Sequence, residues 1–307
     1  MTTGVTPGEA PGGPRGTIYD LRYRPYEGER LGRRFAVWSL YVLSLRHAFG
    51  LGRGALPKTL AFGLVGLAFI PAIIQLAVAA LGPGDFEIVD PVGFYSFIQI
   101  IIMLFAAALA SDLVGNDRRF GVLPLYFSRP LRPDDYGLAK LAALASAMLA
   151  VTVLPQVVMF AGNWLGAADA WDWAKENAGE FGPIVGSGLM ICATFAAIGL
   201  LTATYAGRRS LAIVGVLAVF LVPFMVVEAI MGISDADAVR YAIFFSPAHV
   251  VRAFTLVLFD AVPALDSGSD DNVIAQADMP DAVLVIAALL YAGVGIALAL
   301  YRFRSSA

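Results

Sequence analysis

Six long stretches of the chain carry no aspartate, glutamate, lysine or arginine, and they restrict the possible fold more than any other feature. They are residues 59–84, 91–111, 141–168, 181–207, 210–227 and 282–301. A helix needs roughly 20 mostly apolar residues to cross the hydrocarbon core of a bilayer. The runs are continuous and lack the alternation of a barrel strand, so they predict membrane-spanning helices.

The sequence therefore predicts an all-α integral membrane protein with six transmembrane helices. The predicted spans are about 59–82, 92–111, 138–165, 182–206, 210–231 and 282–301. Hydrophobic residues make up 59% of the chain and charged residues 15%, against about 45–50% and about 25% in soluble domains. This composition excludes a disordered chain, a small disulfide scaffold and a basic nucleic-acid-binding domain. Nucleic acid is therefore not an expected partner.

A shorter apolar segment between Phe35 and Leu45 has the spacing of an amphipathic helix. Its apolar face comprises Phe35, Trp38, Val42, Leu45 and Phe49. The other side carries Arg33, Ser44 and His47. The pattern is typical of a helix that lies in the membrane interface and contacts lipid. The alternative is a helix packed on the protein's own spans.

The segment from Tyr241 to Phe259 is also apolar, but Pro247, His249 and Arg252 interrupt it. It predicts a seventh span, a re-entrant pair of helices or a segment lying on the external surface. The distribution of basic residues decides between an odd and an even number of spans.

With six spans, 18 of the 21 lysines and arginines fall on one side of the membrane. Lys175, Arg240 and Arg252 fall on the other side. Such an excess marks the cytoplasmic side, so both termini are expected in the cytoplasm. A seventh span would place Arg302 and Arg304 outside. We therefore expect six spans in the plasma membrane, with re-entrant or surface-lying external helices before the last span.

Three regions follow along the chain. Residues 1–16 are rich in glycine and proline and predict a disordered tail. Residues 17–58 form a basic cytoplasmic arm that contains the interfacial helix. Residues 59–307 form the six-span transmembrane domain.

Two glycine-containing motifs resemble catalytic motifs but lack essential parts. Gly52 to Thr59 resembles a phosphate-binding loop, which requires glycine immediately before its lysine. Pro57 occupies that position and has no N–H, so we expect this chain to bind no ATP. Gly186-Ser187-Gly188 resembles the surroundings of a nucleophilic serine, but a surface for close helix packing is the better interpretation.

Three carboxylates lie in or near the predicted spans. Glu228 interrupts the fifth span, and an intramembrane carboxylate predicts a functional site, here the lining of a substrate path. The alternative is that Glu228 reaches external water. Asp112 closes the second span and is expected to face cytoplasmic water. Asp117 lies in the following loop, where a solvated carboxylate is the simplest interpretation.

The cytoplasmic loop from Val114 to Lys140 carries the strongest functional signal. Its apolar stretch, 122–127, is flanked by charges in a segment that faces water. An exposed apolar patch with a charged rim usually marks a partner site. We therefore expect the part from Phe120 to Arg132 to bind another protein, with Arg118, Arg119 and Arg129 orienting it.

This loop resembles that of ABC-2 type permeases, the membrane subunits of a family of ATP-driven exporters. The family pattern is matched in order by Gly121, Pro130, Tyr136 and Lys140. Asp117 occupies the position of the pattern's acidic residue. Val122 replaces the usual threonine. The N-terminal arm, at 23–33 and 49–53, resembles an actinobacterial subgroup of these permeases.

The resemblance implies a permease subunit of an ATP-driven exporter that works as a dimer of two copies. Each copy would contact a separate ATP-binding cassette ATPase, which would carry the ATP and Mg. This chain would then need no cofactor, catalytic residue or metal site. The expected coupling residues are Asp117, Arg118, Arg119, Gly121, Leu125, Tyr126, Arg129, Pro130, Tyr136 and Lys140.

Two other classes of function remain open from the residues alone. A secondary transporter normally carries ionisable residues near mid-membrane, and only Glu228 comes close. An intramembrane enzyme requires catalytic groups that meet at membrane depth. The two histidines, His47 and His249, fall on opposite sides of the predicted membrane.

Overall fold

The part of the chain that the structure describes contains helices and no strand, which confirms the all-α class. The structure is a computed structural model. It describes residues 28, 31–52, 54–81, 90–119, 121, 125–126, 128, 131–167, 169–206, 208–233, 238–262 and 272–305. The predicted tail at 1–16 and the first part of the basic arm lie outside these residues.

Eleven α-helices are described, and we number them in chain order. They are α1 Gly32–Ala48, α2 Ala55–Leu81, α3 Pro91–Phe97, α4 Gln99–Arg119, α5 Pro133–Gly166, α6 Ala170–Asn177, α7 Phe181–Tyr205, α8 Arg209–Ile233, α9 Pro247–Leu258, α10 Asn272–Ala277 and α11 Asp281–Arg304. Two 3₁₀ helices, Ala178–Glu180 and Val239–Phe245, precede α7 and α9 respectively.

Five of the described helical segments are long and apolar enough to cross a membrane: α2, α5, the run from α6 through α7, α8 and α11. Two bent pairs raise the count to as many as seven if each is one span. The first pair is α3 and α4, which meet at 54°. The second is the 3₁₀ helix Val239–Phe245 and α9, which meet at 101°.

The predicted second span, 92–111, is therefore bent and not one continuous helix. Asp90 caps α3 by accepting a hydrogen bond from the Gly93 N–H, and Pro91 occupies the first turn. At the other end of α3, the N–H of Ile98 donates to the carbonyls of Phe94 and Ser96. This tightened last turn changes the direction of the chain before α4 begins.

Helix α9 is buried inside the bundle. Of the alternatives predicted for the segment from Tyr241 to Phe259, a position on the external surface is therefore wrong for this helix. Ser246 caps the helix by accepting a hydrogen bond from the His249 N–H, and Pro247 begins its first turn. Such a serine–proline start is favourable because proline lacks the N–H that a first turn leaves unpaired. Every residue from Pro247 to Leu256 is buried, and α9 packs against α7, α8 and α11.

Helix α1 packs on α5 and also leaves apolar side chains exposed. Leu40, Ser44 and Ala48 are its buried residues, whereas Phe35 and Trp38 are exposed. Ser44 was predicted on the polar side, but it is buried against the bundle, and Leu45 and Phe49 of the predicted apolar face also pack against the core. Small side chains on this face allow the two helices to approach closely. The apolar stripe at Phe35 and Trp38 therefore points away from the bundle.

Small residues also allow α7 to approach its neighbours closely. A Cβ on Gly188 would lie 2.2 Å from Cγ2 of Val153 in α5, and one on Gly186 would lie 2.7 Å from Cδ2 of Leu258 in α9. Such distances are far inside van der Waals contact, so a larger residue requires a neighbouring side chain to move, which is harder for the β-branched Val153 than for Leu258. The prediction that Gly186 and Gly188 form a close packing surface is confirmed.

Replacing Gly188 with alanine is expected to destabilise the bundle. The added methyl group meets the stiff, β-branched side chain of Val153, and overpacking of this kind costs about 1–3 kcal/mol. Gly182→Ala is the matched control, since nothing lies within 4 Å of a Cβ built on that glycine of the same helix. Thermal unfolding in detergent should show a lower midpoint for Gly188→Ala only. Equal midpoints for the two variants would contradict the packing described here.

Candidate functional site

Four ion pairs lie at one end of the bundle, where α4, α7 and α11 end and α5 and α8 begin. We call this the basic end. The pairs are Lys140–Asp117 at 2.7 Å, Arg209–Asp112 at 2.8 Å, Arg33–Asp135 at 2.7 Å and Arg304–Asp134. Four of the basic side chains that the sequence assigns to one side of the membrane are thus paired with carboxylates.

The Lys140–Asp117 pair is the most buried of the four. The side chain of Lys140 is 2% exposed and that of Asp117 is 15% exposed. Nζ of Lys140 also donates a hydrogen bond to the carbonyl of Leu113 at 2.9 Å. The hydroxyl of Tyr136 donates to Oδ2 of Asp117 at 2.8 Å. Three predicted coupling residues therefore form one buried cluster, which joins the end of α4 to the start of α5.

Aromatic packing extends this cluster into the loop between α4 and α5. Tyr136 is fully buried, with its ring 5.6 Å from that of Tyr126 and 5.5 Å from that of Phe303 in α11. Tyr126 is half-buried, so it contacts the protein's own core. Its neighbour Leu125 is 68% exposed. Of the two predicted apolar coupling residues, Leu125 is the one that is directed outward.

Other predicted coupling residues are described only in part. Gly121 has a φ of +61°, a left-handed conformation that favours glycine and places a turn directly after α4. The side chains of Arg118 and Arg119 lie outside the described residues, as do Arg129 and Pro130. The predicted charged rim of the loop therefore stays a prediction.

Asp112 and Asp117 differ from their sequence-based interpretation. Asp112 was expected to face water, but its side chain is 8% exposed and lies 2.8 Å from Nε of Arg209. The first turn of α8 brings Arg209 against α4, and the opposite charge of Arg209 offsets part of the cost of desolvating Asp112. Asp117 was interpreted as solvated, and it is instead the acceptor of the Lys140 and Tyr136 cluster.

Two adjacent aspartates in the first turn of α5 contact two other helices. Arg33 of α1 donates two hydrogen bonds of 2.7 Å to Asp135, and Arg304 of α11 donates two to Asp134. The hydrogen bonds that Arg33 donates to the Asp135 carboxylate raise the pKa of the Arg33 guanidinium above its usual value. Negative side chains also suit the N-terminus of a helix. These contacts were not predicted, although Pro133-Asp134-Asp135 is a recognisable helix start.

A second polar region lies near the opposite end of α8. Nε2 of His249 is 3.0 Å from Oε1 of Glu228, and a carboxylate can only accept, so the ring nitrogen donates. The imidazole stacks on Phe224, with ring centroids 4.6 Å apart. Glu228, His249 and Arg252 line a cavity of ≈ 500 Å³. Glu228 was predicted to line a path, and it lines this cavity; transport through it remains a prediction.

The other motifs have structural roles in the described residues. Pro57 and Lys58 belong to the first turns of α2. Oγ of Ser187 is buried and has no hydrogen-bond partner in the described part of the chain, so no base contacts it there. Within the described ranges, no group of three or more His, Cys, Asp or Glu residues has the arrangement of a metal site.

Taken together, the apolar helices define the chain as a helical, multi-pass membrane protein. No known family model matches it, and no curated protein gives a match. Two polar regions carry the groups that a function could use. They are the buried Lys140 cluster at the basic end and the cavity beside Glu228.

Removing the Lys140 ammonium group is expected to destabilise the protein strongly. Lys140→Met leaves Asp117 almost buried without its cation, and breaking a buried pair from one side costs about 3–5 kcal/mol. Lys175→Met is the control, because it removes a lysine from a pair with Asp172 whose side chains are 57% and 65% exposed. Exposed pairs contribute about 0–1 kcal/mol.

Both variants are compared by thermal unfolding in detergent. Lys140→Met should lower the midpoint much more than Lys175→Met, and adding Asp117→Asn to Lys140→Met should recover part of the loss. If both lysine variants shift the midpoint equally, the buried pair does not stabilise the fold in the way described.

Proposed function

We propose that the chain is the transmembrane permease subunit of an ATP-driven exporter of the ABC-2 type. It works as a dimer in the plasma membrane, and each copy binds a separate ATP-binding cassette ATPase that carries ATP and Mg²⁺. The observation that carries the proposal is the loop between α4 and α5. A buried cluster of Lys140, Asp117 and Tyr136 joins the two helix ends that flank this loop, and Leu125 on the loop is exposed.

An exposed leucine between two helix ends that are joined by a buried cluster is a suitable anchor for a partner protein. Interfaces derive most of their affinity from a few side chains that become fully desolvated. The ring of Tyr126, the next residue, packs against Tyr136, which lowers the conformational entropy lost on binding. The leucine lies at the basic end, which the proposed topology places in the cytoplasm. A cytoplasmic protein is therefore a better partner for Leu125 than the bilayer.

The buried cluster also provides a physical route from the loop into the membrane. Lys140 contacts α4 through both Asp117 and the Leu113 carbonyl. It belongs to α5, which contains 34 residues and is long enough to cross the bilayer and extend beyond it. A displacement of the loop by an ATPase would move α4 and α5 together, because separating them would leave a buried charge unpaired.

The proposed topology has six spans with both termini in the cytoplasm. It counts α3 and α4 as one bent span, and treats the 3₁₀ helix Val239–Phe245 and α9 as a re-entrant pair. With an even number of spans, the basic arm before α2 and the arginines that end α11 lie on the same side. The contact between Arg33 of α1 and α5 supports this, as does the contact of Arg304 of α11 with the same turn.

A secondary transporter is the second candidate, and one observation favours it. Glu228 and His249 are ionisable groups in contact, and they line a cavity. Such pairs serve ion or proton coupling in some transporters. The two candidates differ in their energy source: transport into inverted membrane vesicles should require ATP for the exporter and an ion gradient for the secondary transporter.

Leu125→Asp is expected to prevent the ATPase from binding. An aspartate at this position carries a charge, so the contribution of the leucine side chain to binding is lost. Losing a hot-spot side chain costs about 2–4 kcal/mol. Tagged protein purified from membranes of its own host should therefore bring an ATPase with it, whereas Leu125→Asp should not. The measurement is ATP hydrolysis and the yield of the second band after affinity purification.

The matched control is Leu56→Asp. Leu56 is 74% exposed, against 68% for Leu125, and lies in the first turn of α2, outside the loop. This variant should retain the ATPase. Recovery of the ATPase at normal yield with Leu125→Asp, or failure to recover any ATPase with the unmodified chain, rules out the proposed coupling role.

The topology predicts opposite labelling of two engineered cysteines. Glu176 in α6 lies on the proposed external side, and Ser305 follows α11 on the cytoplasmic side. In intact cells, a membrane-impermeant maleimide should label Glu176→Cys and should label Ser305→Cys only after permeabilisation. The native Cys192 is buried and is replaced by alanine in both. Labelling of Ser305→Cys in intact cells would show that the number of spans is odd or the orientation inverted.

A further inference from the structure

Three exposed basic side chains in and after helix α1 differ from those that form the ion pairs of the basic end. They are Arg34 and Arg46 in α1 and Lys58 in the first turns of α2. Among the residues that the structure describes, none of these three has a carboxylate partner. Their positive charges are therefore available to an anionic group outside the protein.

The two arginines lie beside the apolar stripe of α1. Residues that are four positions apart are neighbours on the surface of a helix, so Arg34 is one turn from Trp38 and Arg46 is one turn from Val42. Phe35 and Trp38 are 50% and 61% exposed. Helix α1 thus presents aromatic rings together with positive charges, away from the face that packs on α5.

The turn after α1 brings the third basic residue close to the end of that helix. Gly50 has a φ of +67°, and a Cβ built on it would lie 2.6 Å from the backbone nitrogen of Lys58. The rings of Phe49 and Phe62 also pack together, with centroids 5.8 Å apart. The first turns of α2 therefore contact the end of α1, and Arg46 and Lys58 flank the same turn.

Helix α1 lies where the charged end of the bundle meets the apolar part of α5. Arg33 of α1 pairs with Asp135 in the first turn of α5, and the hydroxyl of Tyr41 donates to Oγ of Ser146 at 3.0 Å. The charge-free stretch of α5 begins at residue 141, between these two contacts. At such a boundary, aromatic rings meet the edge of the hydrocarbon and long basic side chains reach the head groups.

We propose that the outward side of α1 selects anionic phospholipid from the surrounding bilayer. Arg34, Arg46 and Lys58 contact the head-group phosphates, and the ring of Trp38 packs against the lipid beside them. Basic side chains at a membrane surface attract anionic lipid, whereas a zwitterionic head group carries its own ammonium next to the phosphate and is attracted less. This binding goes beyond the exporter proposal and is independent of it, because it requires no ATPase.

Quenching of tryptophan fluorescence by brominated lipid measures which lipid contacts α1. The chain has four tryptophans, and replacing Trp164, Trp171 and Trp173 with phenylalanine leaves Trp38 as the emitter. The full chain is reconstituted in nanodiscs that contain equal amounts of phosphatidylglycerol, which is anionic, and phosphatidylcholine, which is zwitterionic. Bromine is placed on one lipid or on the other, so the composition stays constant and only the quencher changes.

Brominated phosphatidylglycerol should quench Trp38 more strongly than brominated phosphatidylcholine. The expected local enrichment is about fivefold, the effect of roughly one basic side chain at an anionic surface. Replacing Arg34 and Arg46 together with glutamine should remove most of this enrichment, and salt at about 1 M should do the same by screening. Arg208→Gln is the matched control, because it removes an exposed arginine just before α8 and should leave the enrichment unchanged.

Equal quenching by the two brominated lipids would overturn the proposal, because α1 would then contact lipid without selecting its charge. Quenching by neither lipid would also overturn it, since a second copy or another protein would then cover this side of α1. So would an enrichment that survives the double arginine variant. If the single-tryptophan protein does not fold, lipid extracted from the purified chain decides: the unmodified chain should retain more phosphatidylglycerol than the double variant, and equal retention would contradict the proposal.

Discussion

The pairing of Lys140 with Asp117 is the interaction on which the arrangement of the basic end depends. A charge that is buried beside a membrane domain must be neutralised, because its desolvation otherwise costs several kcal/mol. Lys140 lies in α5 and Asp117 in α4, so the two helices cannot separate without exposing an unpaired charge. Tyr136 links Asp117 to the ring of Tyr126, one of the described residues between the two helices. Leu125 is the neighbour of Tyr126 in the chain and is exposed.

Sequence patterns predicted the features that depend on local composition. The charge-free stretches predicted the helical membrane class. The resemblance grouped Asp117, Tyr136 and Lys140, but it did not predict their contact, which is made where α4 ends and α5 begins. Long-range pairs were missed: Arg209 with Asp112, Arg33 with Asp135 and Arg304 with Asp134 are 97, 102 and 170 residues apart. Hydropathy does not specify which helices become neighbours. The burial of α9 was missed for the same reason, because only its contacts with α7, α8 and α11 determine it.

Helices α4 and α8 connect the two polar regions of the molecule. At the basic end, Asp112 of α4 pairs with Arg209 of α8. Toward the opposite end, the same helices contribute Gln99 and Glu228 to the cavity. An axial or rotational shift of α8 against α4 would change both the ion pair and the width of the cavity opening. The proposed coupling of an ATPase to the cavity beside Glu228 thus has a continuous path through two packed helices.

Site-specific photo-crosslinking tests the central claim most directly, namely that the loop between α4 and α5 is the binding site of an ATPase. A benzophenone amino acid is introduced at Leu125, or at Leu56 for comparison, and irradiated in living cells. The account predicts a covalent adduct at position 125, and none at 56, with a protein that contains a phosphate-binding loop and hydrolyses ATP. No adduct at position 125, or an adduct with a partner that binds no nucleotide, would contradict it.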